Sequence, residues 1–195
     1  MQISLDKGIV CTPNTDCELN AYCDSDFAGM WHKNNTHLRE SVLSRTGYIV
    51  QYCGCPIVWA SKLQTEIALS STEAEFMALS ACMRVLLPLR SLLREITTKS
   101  FISNLKCDKT MISSHELKAS KVYEDNAGCI VLATTESIRP RTRHIATKYH
   151  RFKDEVRRGE CEVLKIDTKE NIADIFTKPL TQVTFEYLRK LMMGW

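Results

Sequence analysis

The chain has 195 residues, enough for one domain with a full-sized core. Its 44% hydrophobic and 25% charged residues form an ordinary globular balance, which excludes collagen-like, coiled-coil and disordered classes. A formal net charge of +3 permits a polyanionic partner without demanding one.

In chain order, ELNAYCD (Glu18 to Asp24) alternates in polarity and reads as a first strand. After the polar stretch HKNNTHLRES, the β-rich runs RTGYIVQYC and PIVWASK flank Gly54 as a hairpin, completing a meander. From Glu75 the period changes. Leu79, Cys82, Leu86, Leu89 and Leu93 recur at helical spacing, predicting a long amphipathic helix kinked by Pro88. A polar loop from about Thr97 to Ala119 precedes a short strand, KVYED, and a short helix, NAGCIVLATT. A basic helix is expected from about Arg143 to Arg158, stopping at Gly159. CEVLKID follows as a strand, ENIADIFTK as a helix start and TFEYLRKLM as a closing helix. The order βββ, α, β, α, α, β, α implies an α/β fold. Its mixed five-stranded sheet joins a three-strand antiparallel meander to parallel strands, with helices on the faces. One domain is expected over 1–195, with a core of about 17–180 and a terminal helix at 181–195.

The opening MQISLDKGIV lacks a signal-peptide pattern, and seven of the nine cysteines stand singly. Cys53 and Cys55 lie too close together in a strand for a zinc knuckle, so the cysteines read as reduced thiols. Arg84 and Arg90 interrupt the longest apolar stretch, ALSACMRVLLPLRSLL, and no membrane-crossing helix is expected.

Four acids fall at the ends of predicted elements, where side chains can converge on one sheet edge: Asp24 in CDSDFAG, Glu75 in SSTEAEFMALS, Asp125 in YEDNAGCI and Asp174 in ENIADIFTKPL. Each has a rival or a plainer role. Asp26 shares a face with Asp24 if the strand continues, and periodicity alone does not exclude it. Ser70-x-x-Glu73 fits a capping box, with Glu73 turned back to the Ser70 backbone N–H. Glu75 instead lies on the apolar stripe, where a carboxylate needs a reason such as a metal. Asp125 fits an N-cap, and Asp174 a first-turn acid complementing a helix dipole. Glu124 reads as a solvent-facing neighbour of Asp125.

The segments SRTGYIVQYCGCPIVWASKLQTEIALSSTEAEFMALS, RTRHIATKYHRFKDEV and NIADIFTKPL resemble the ribonuclease H domain of copia-type LTR retrotransposon Pol polyproteins, from about Gly8 to the C-terminus. The resemblance implies a ribonuclease H-like fold and an endonuclease that hydrolyses the RNA strand of RNA–DNA hybrids during reverse transcription. It carries the family's acids onto Asp24, Glu75, Asp125 and Asp174 as catalytic and metal-binding residues. Two Mg²⁺ ions, or Mn²⁺ in their place, would be held by oxygen ligands. Asp24 would bridge both ions, Glu75 and Asp125 would serve the leaving-group side, and Asp174 would serve the nucleophile's. The implied partners are the hybrid and the reverse transcriptase domain of the same polyprotein, with no membrane, in a cytoplasmic virus-like particle. DTKENIAD lacks the loop histidine that cellular ribonucleases H carry before their last aspartate, and His144 and His150 lie six residues apart, not on one helix face.

The segment IRPRTRHIATKYHRFKDEVRRG carries eight Lys and Arg residues against Asp154 and Glu155. It fits a phosphate-tracking stripe, with Tyr149 and Phe152 interleaved, and equally a solvated helix face with both aromatics in the core. Arg139, Arg141, Arg143 and Lys148, together with Asn126, are the expected nucleic-acid contacts. Recognition would be by shape and 2′-hydroxyls rather than by base reading. Two other classes compete. An integrase-like enzyme would use two aspartates and a late glutamate, which this order of acids opposes. A degenerate, non-catalytic ribonuclease H-like binding or connection domain would keep the fold without the activity.

Overall fold

The computed structural model describes residues 8–35, 37–98, 117–135 and 151–194. Strand β1 (Leu19–Asp26) pairs antiparallel with β2 (Arg45–Tyr52), which pairs antiparallel with β3 (Cys55–Leu63). Cys53 and Gly54 join β2 to β3, both at positive φ (51° and 80°). Two such residues between paired Tyr52 and Cys55 match the twist of a tight hairpin, and glycine meets that demand without a steric penalty. The long helix α1 (Ser71–Thr98) follows, then β4 (Ser120–Glu124), α2 (Ala127–Thr134), α3 (Arg151–Arg157), β5 (Cys161–Lys165) and α4 (Gln182–Met193). The sheet order is β3-β2-β1-β4-β5, with β1, β4 and β5 parallel. The mixed five-stranded sheet of the sequence analysis is the sheet observed.

Alternation along β1 and β2 separates two cores. Leu19, Ala21, Cys23, Tyr48 and Val50 meet the α1 stripe of Phe76, Leu79, Cys82, Met83 and Leu86 on one face. Tyr22 and Ile49 meet Ile172 and Leu188 on the other. By length and composition α1 could cross a bilayer, but its apolar stripe packs on the sheet. Pro88 lies inside α1. Arg90, beyond it, is buried: its guanidinium binds Glu160 at 2.8 Å and donates to Ser120 Oγ and to the carbonyls of Leu117 and Lys118. A buried guanidinium with all its neighbours as acceptors ties the far half of α1 to the β4–β5 edge.

Several expectations need correction. β1 runs two residues past Asp24, because Ser25 and Asp26 continue the ladder opposite Thr46 and Arg45. The late helix is a pair of 3₁₀ turns, Thr168–Glu170 and Ile172–Phe176, begun by the side chains of Asp167 and Asn171. Pro179, three residues beyond Phe176, disfavours helical continuation through Lys178. Glu124 is not solvent-facing but fully buried, since it alternates with Ser120 and Val122 on the inner face of β4. Phe152 is a core residue, its ring 5.2 Å from Phe76. Arg157 and Arg158 pair with Asp154 and Glu155 on their own helix. Residues 99–116 of the expected loop and 136–150 of the basic segment lie outside the described residues, with Arg139, Arg141, Arg143, His144, Lys148, Tyr149 and His150.

Gly47, opposite Asp24 in the β1–β2 ladder, allows the second 3₁₀ turn to settle on the sheet. A Cβ there would lie 2.6 Å from the Thr177 methyl, 2.8 Å from Phe176 Cβ and 3.0 Å from the Ala173 carbonyl oxygen. Gly47→Ala is therefore expected to lift residues 172–177 off the strands. Denaturant unfolding should show a loss of about 1–3 kcal/mol, in the range of overpacked cores. An unchanged midpoint would show that the turn does not depend on this approach.

Candidate active site

The β1–β4 register covers Ala21–Tyr22 opposite Val122–Tyr123, and Asp24 and Asp125 lie beyond it. The carboxyl ends of two neighbouring parallel strands thus open a crevice, a recurrent place for sites in open α/β sheets. α1 delivers Glu75 into it from the helix face. One carboxylate oxygen from each of Asp24, Glu75 and Asp125 lies within 4.8 Å of the others. Asp24 and Glu75 are buried and Asp125 is half-buried, its Oδ2 accepting a 2.7 Å hydrogen bond from the Thr168 hydroxyl.

The acids that compete in the sequence fall in different places. Asp26 is not in the group, and its carboxylate lies against Gly29. Glu73 is the capping acid: its backbone N–H donates to Ser70 Oγ, while its carboxylate accepts from the N–H of Leu69, one residue before the expected Ser70. Asp125 is not the N-cap of α2. Asn126 takes that role, its side-chain oxygen accepting from the Cys129 N–H at 3.0 Å. Asp174 lies near the group but outside it, in the second 3₁₀ turn and only 5% exposed.

What joins Asp174 to Asp24 is Lys178. Its ammonium donates to Asp24 Oδ1 at 2.9 Å and to Asp174 Oδ1 at 3.0 Å, and the Thr177 hydroxyl donates to Asp24 Oδ2. Asn171, fully buried, starts the turn and donates through Nδ2 to the Cys23 carbonyl at 2.9 Å, pinning it one residue before Asp24. Gln64 does the equivalent for α1, donating to the Ala74 carbonyl, Ser25 Oγ and Thr46 Oγ1. These supporting residues were not singled out from the sequence. For Lys178 a signal existed: it stands four residues after Asp174, the spacing at which two side chains meet on one turn. For Asn171, Gln64 and Glu124 the partners are distant in sequence, and no local pattern marks them.

Crowded negative charge governs the electrostatics. Burial, with Glu124, Asp24 and Asp125 nearby, pushes Glu75 up to about 10, and its Oε2 has no hydrogen-bond partner among the described residues. Burial likewise raises Glu124 to about 8, against the stabilising Cys23 thiol and Asn126 N–H that its oxygens accept from. Burial and Asp24 raise Asp174 to about 7. Burial alone would lower Lys178, but its contacts with Asp24 and Asp174 override this and hold it well above the ordinary lysine range.

These acids titrate higher in the folded chain than when unfolded, so above pH about 4–5 the folded state holds protons the unfolded state has released. The protein should therefore lose stability as pH rises from about 5 to about 8. Thermal melts over that range test this, and a midpoint that climbs with pH refutes it. Glu75→Gln should flatten the pH dependence and stabilise the metal-free protein, whereas Glu73→Gln should only weaken the cap, by at most about 1 kcal/mol. Equal effects of the two variants in the same melts would contradict the different surroundings described for them.

No protein-family model matches the chain. Curated relatives do. A retrovirus-related Pol polyprotein from transposon RE2 of Arabidopsis thaliana is 32% identical over 187 residues, 95% of this chain and 11% of the relative. That from transposon TNT 1-94 of Nicotiana tabacum is 32% identical over 183 residues, 94% of this chain and 12% of the relative. The chain thus spans only about a ninth of the length of these polyproteins. Among solved structures, LC11-RNase H1 in complex with an RNA/DNA hybrid matches with a TM-score of 0.50 at 13% identity, covering 82% of this chain and 94% of that one. The N-terminal RNase H domain of a Mycobacterium tuberculosis protein, solved as a fusion with maltose-binding protein, also matches with a TM-score of 0.50, at 9% identity, covering 90% and 98%. Over nearly its whole length the chain is homologous to a segment of copia-type retrotransposon Pol polyproteins, and its fold is that of ribonuclease H.

Proposed function

We propose that the chain is a divalent-metal-dependent ribonuclease H that hydrolyses the RNA strand of RNA–DNA hybrids during retrotransposon reverse transcription. The observation that carries this reading is the convergence of Asp24, Glu75 and Asp125 within 4.8 Å, at the strand ends of a ribonuclease H fold. A divalent ion fits these residues. The donors are all carboxylate oxygens, the set suited to Mg²⁺ or Mn²⁺, and the buried, unpartnered Oε2 of Glu75 is a vacant acceptor facing like charges.

Asp24, Glu75 and Asp125 would hold one ion, and Asp24 with Asp174 a second. Such ions supply Lewis-acid stabilisation of the attacking and leaving oxygens in phosphodiester hydrolysis. The chain's own part is to fix the ligands. Thr177 orients Asp24, Thr168 orients Asp125, Asn171 sets the turn bearing Asp174, and Gln64 sets the turn bearing Glu75. A non-catalytic domain would have no need to keep these mutually repelling groups together.

The partner is a nucleic-acid hybrid, as in the hybrid-bound structure that shares this fold. Arg139, Arg141, Arg143 and Lys148 are the proposed phosphate contacts, with Asn126 beside the carboxylates. The reverse transcriptase domain of the same polyprotein would hold the same hybrid at high effective concentration, within the element's cytoplasmic particle.

Purified chain with Mg²⁺ should cut the RNA strand of a labelled hybrid and spare duplex DNA, and Mn²⁺ should substitute. Asp24→Asn, Glu75→Gln, Asp125→Asn and Asp174→Asn should each lose cleavage while melting as folded proteins. Cleavage retained by Asp24→Asn would sink the assignment. Affinity for hybrid should fall steeply with salt, activity dropping several-fold or more between roughly 50 and 200 mM. Replacing Arg139, Arg141 and Arg143 with alanine should reduce that slope and raise KM with little change in kcat. Identical salt slopes for the two proteins would move the hybrid grip elsewhere.

A further inference from the structure

Lys178 bridges the two carboxylates to which the reading above assigns a second ion. Its ammonium lies 2.9 Å from Asp24 Oδ1 and 3.0 Å from Asp174 Oδ1, bridging two buried carboxylates as a divalent ion would. Thr177 occupies the other oxygen of Asp24, so both are engaged. Glu75 and Asp125 are different: neither meets a cationic side chain among the described salt bridges, and Glu75 retains an oxygen with no partner. The acidic site is therefore divided. In one half, Glu75 and Asp125 form none of the described salt bridges and share with Lys178 only Asp24, while the other half, Asp24–Asp174, is bridged by a cation built into the chain.

We propose that Lys178 is a resident counter-cation that competes with a divalent ion for the Asp24–Asp174 pair, so that the two ions load in order. The first enters among Asp24, Glu75 and Asp125, where it relieves repulsion, takes up the unpartnered Glu75 oxygen and shares only Asp24 with Lys178. The second must expel the ammonium, whose side chain is 31% exposed and so has a route to solvent. In the metal-free protein the same ammonium keeps Asp174 docked against β1 and preserves the geometry the second ion needs. Lys178 is on this reading a positioning residue: it sets the order and affinity of loading and touches no reacting atom. The inference rests on the metal-dependent reading above and adds an asymmetry between the two halves.

The arithmetic is that of competition. If the ammonium holds the seat in nine molecules of ten, the apparent affinity for the second ion falls about tenfold. Removing it should strengthen the second ion by about that factor. The first ion should change by less than about threefold, because two of its three ligands, Glu75 and Asp125, lie outside the Lys178 contacts.

Calorimetric titration of the full chain with Mn²⁺, without nucleic acid, reads this directly. The wild type should bind one ion strongly and a second weakly. Lys178→Met should strengthen the second step selectively, and Lys178→Arg should leave it weak because a cation remains on the pair. Asp174→Asn should remove the weak step, and adding Lys178→Met to it should then change little. Lys178→Gln keeps a hydrogen-bond donor without the charge and serves if the methionine variant does not fold; it too should strengthen the second step. An unchanged isotherm in the folded, uncharged Lys178 variants, or an equal gain at both steps, overturns the competition. Two equally strong ions in the wild type overturn it as well, while leaving the metal-dependent reading intact. Absence of any divalent-ion binding to the wild type sinks that reading itself.

Discussion

Asp24 stands on the central strand of the sheet with none of its surface exposed, and the surroundings of that one carboxylate organise much of the structure. A buried ionised group is expensive unless charge and hydrogen bonds compensate it. Thr177 and Lys178 supply both from a single short turn. For that turn to reach, the neighbouring strand must offer no side chain opposite Asp24, and Gly47 meets the condition. The turn must also be fixed in register, which Asn171 does through the Cys23 carbonyl. A short tract from Asn171 to Lys178 thus carries an acid, a base, a hydroxyl and a strand anchor to one point of the sheet.

The helical side solves a different problem. Glu75 and Glu124 lie on faces turned into the core, with fully buried Cys23 and Cys129 close to them. Burial raises both acids, so each is held more readily protonated than ionised in the metal-free chain. The Cys23 thiol and the Asn126 N–H satisfy Glu124, leaving Glu75 as the group whose surroundings are incomplete. A site built this way is strained by burying acids that resist ionisation.

That strain is tolerable because the rest of the fold is tightly tied. The α1 stripe covers the sheet, Gln64 anchors the start of the helix, and buried Arg90 with Glu160 anchors its far half. The rigid mixed sheet keeps Asp24 and Asp125 at the ends of adjacent parallel strands, so function depends on the few side chains placed there rather than on the fold alone.

Periodicity in the sequence determined the layer order, the βββαβααβα arrangement and the mixed sheet, because period-2 and period-3.6 patterns are local properties of the chain. It also separated Glu73 from Glu75, since a cap and an apolar stripe are both read within a turn or two. Tertiary structure alone decided the rest. Asp24 rather than Asp26 meets Glu75 and Asp125, and this follows from where α1 and β4 bring those acids, not from the strand's end, since β1 runs on to Asp26. Glu124 was misread as exposed because an acid's burial depends on which face of β4 looks inward, and that is set by packing against distant elements. The bridging role of Lys178 was half legible. Its spacing from Asp174 is local, but its contact with Asp24, 154 residues away, exists only once the late turn has settled on Gly47. Charge compensation between remote segments leaves no period in a sequence, and so the acids of this site could be read from it while the groups that hold them could not.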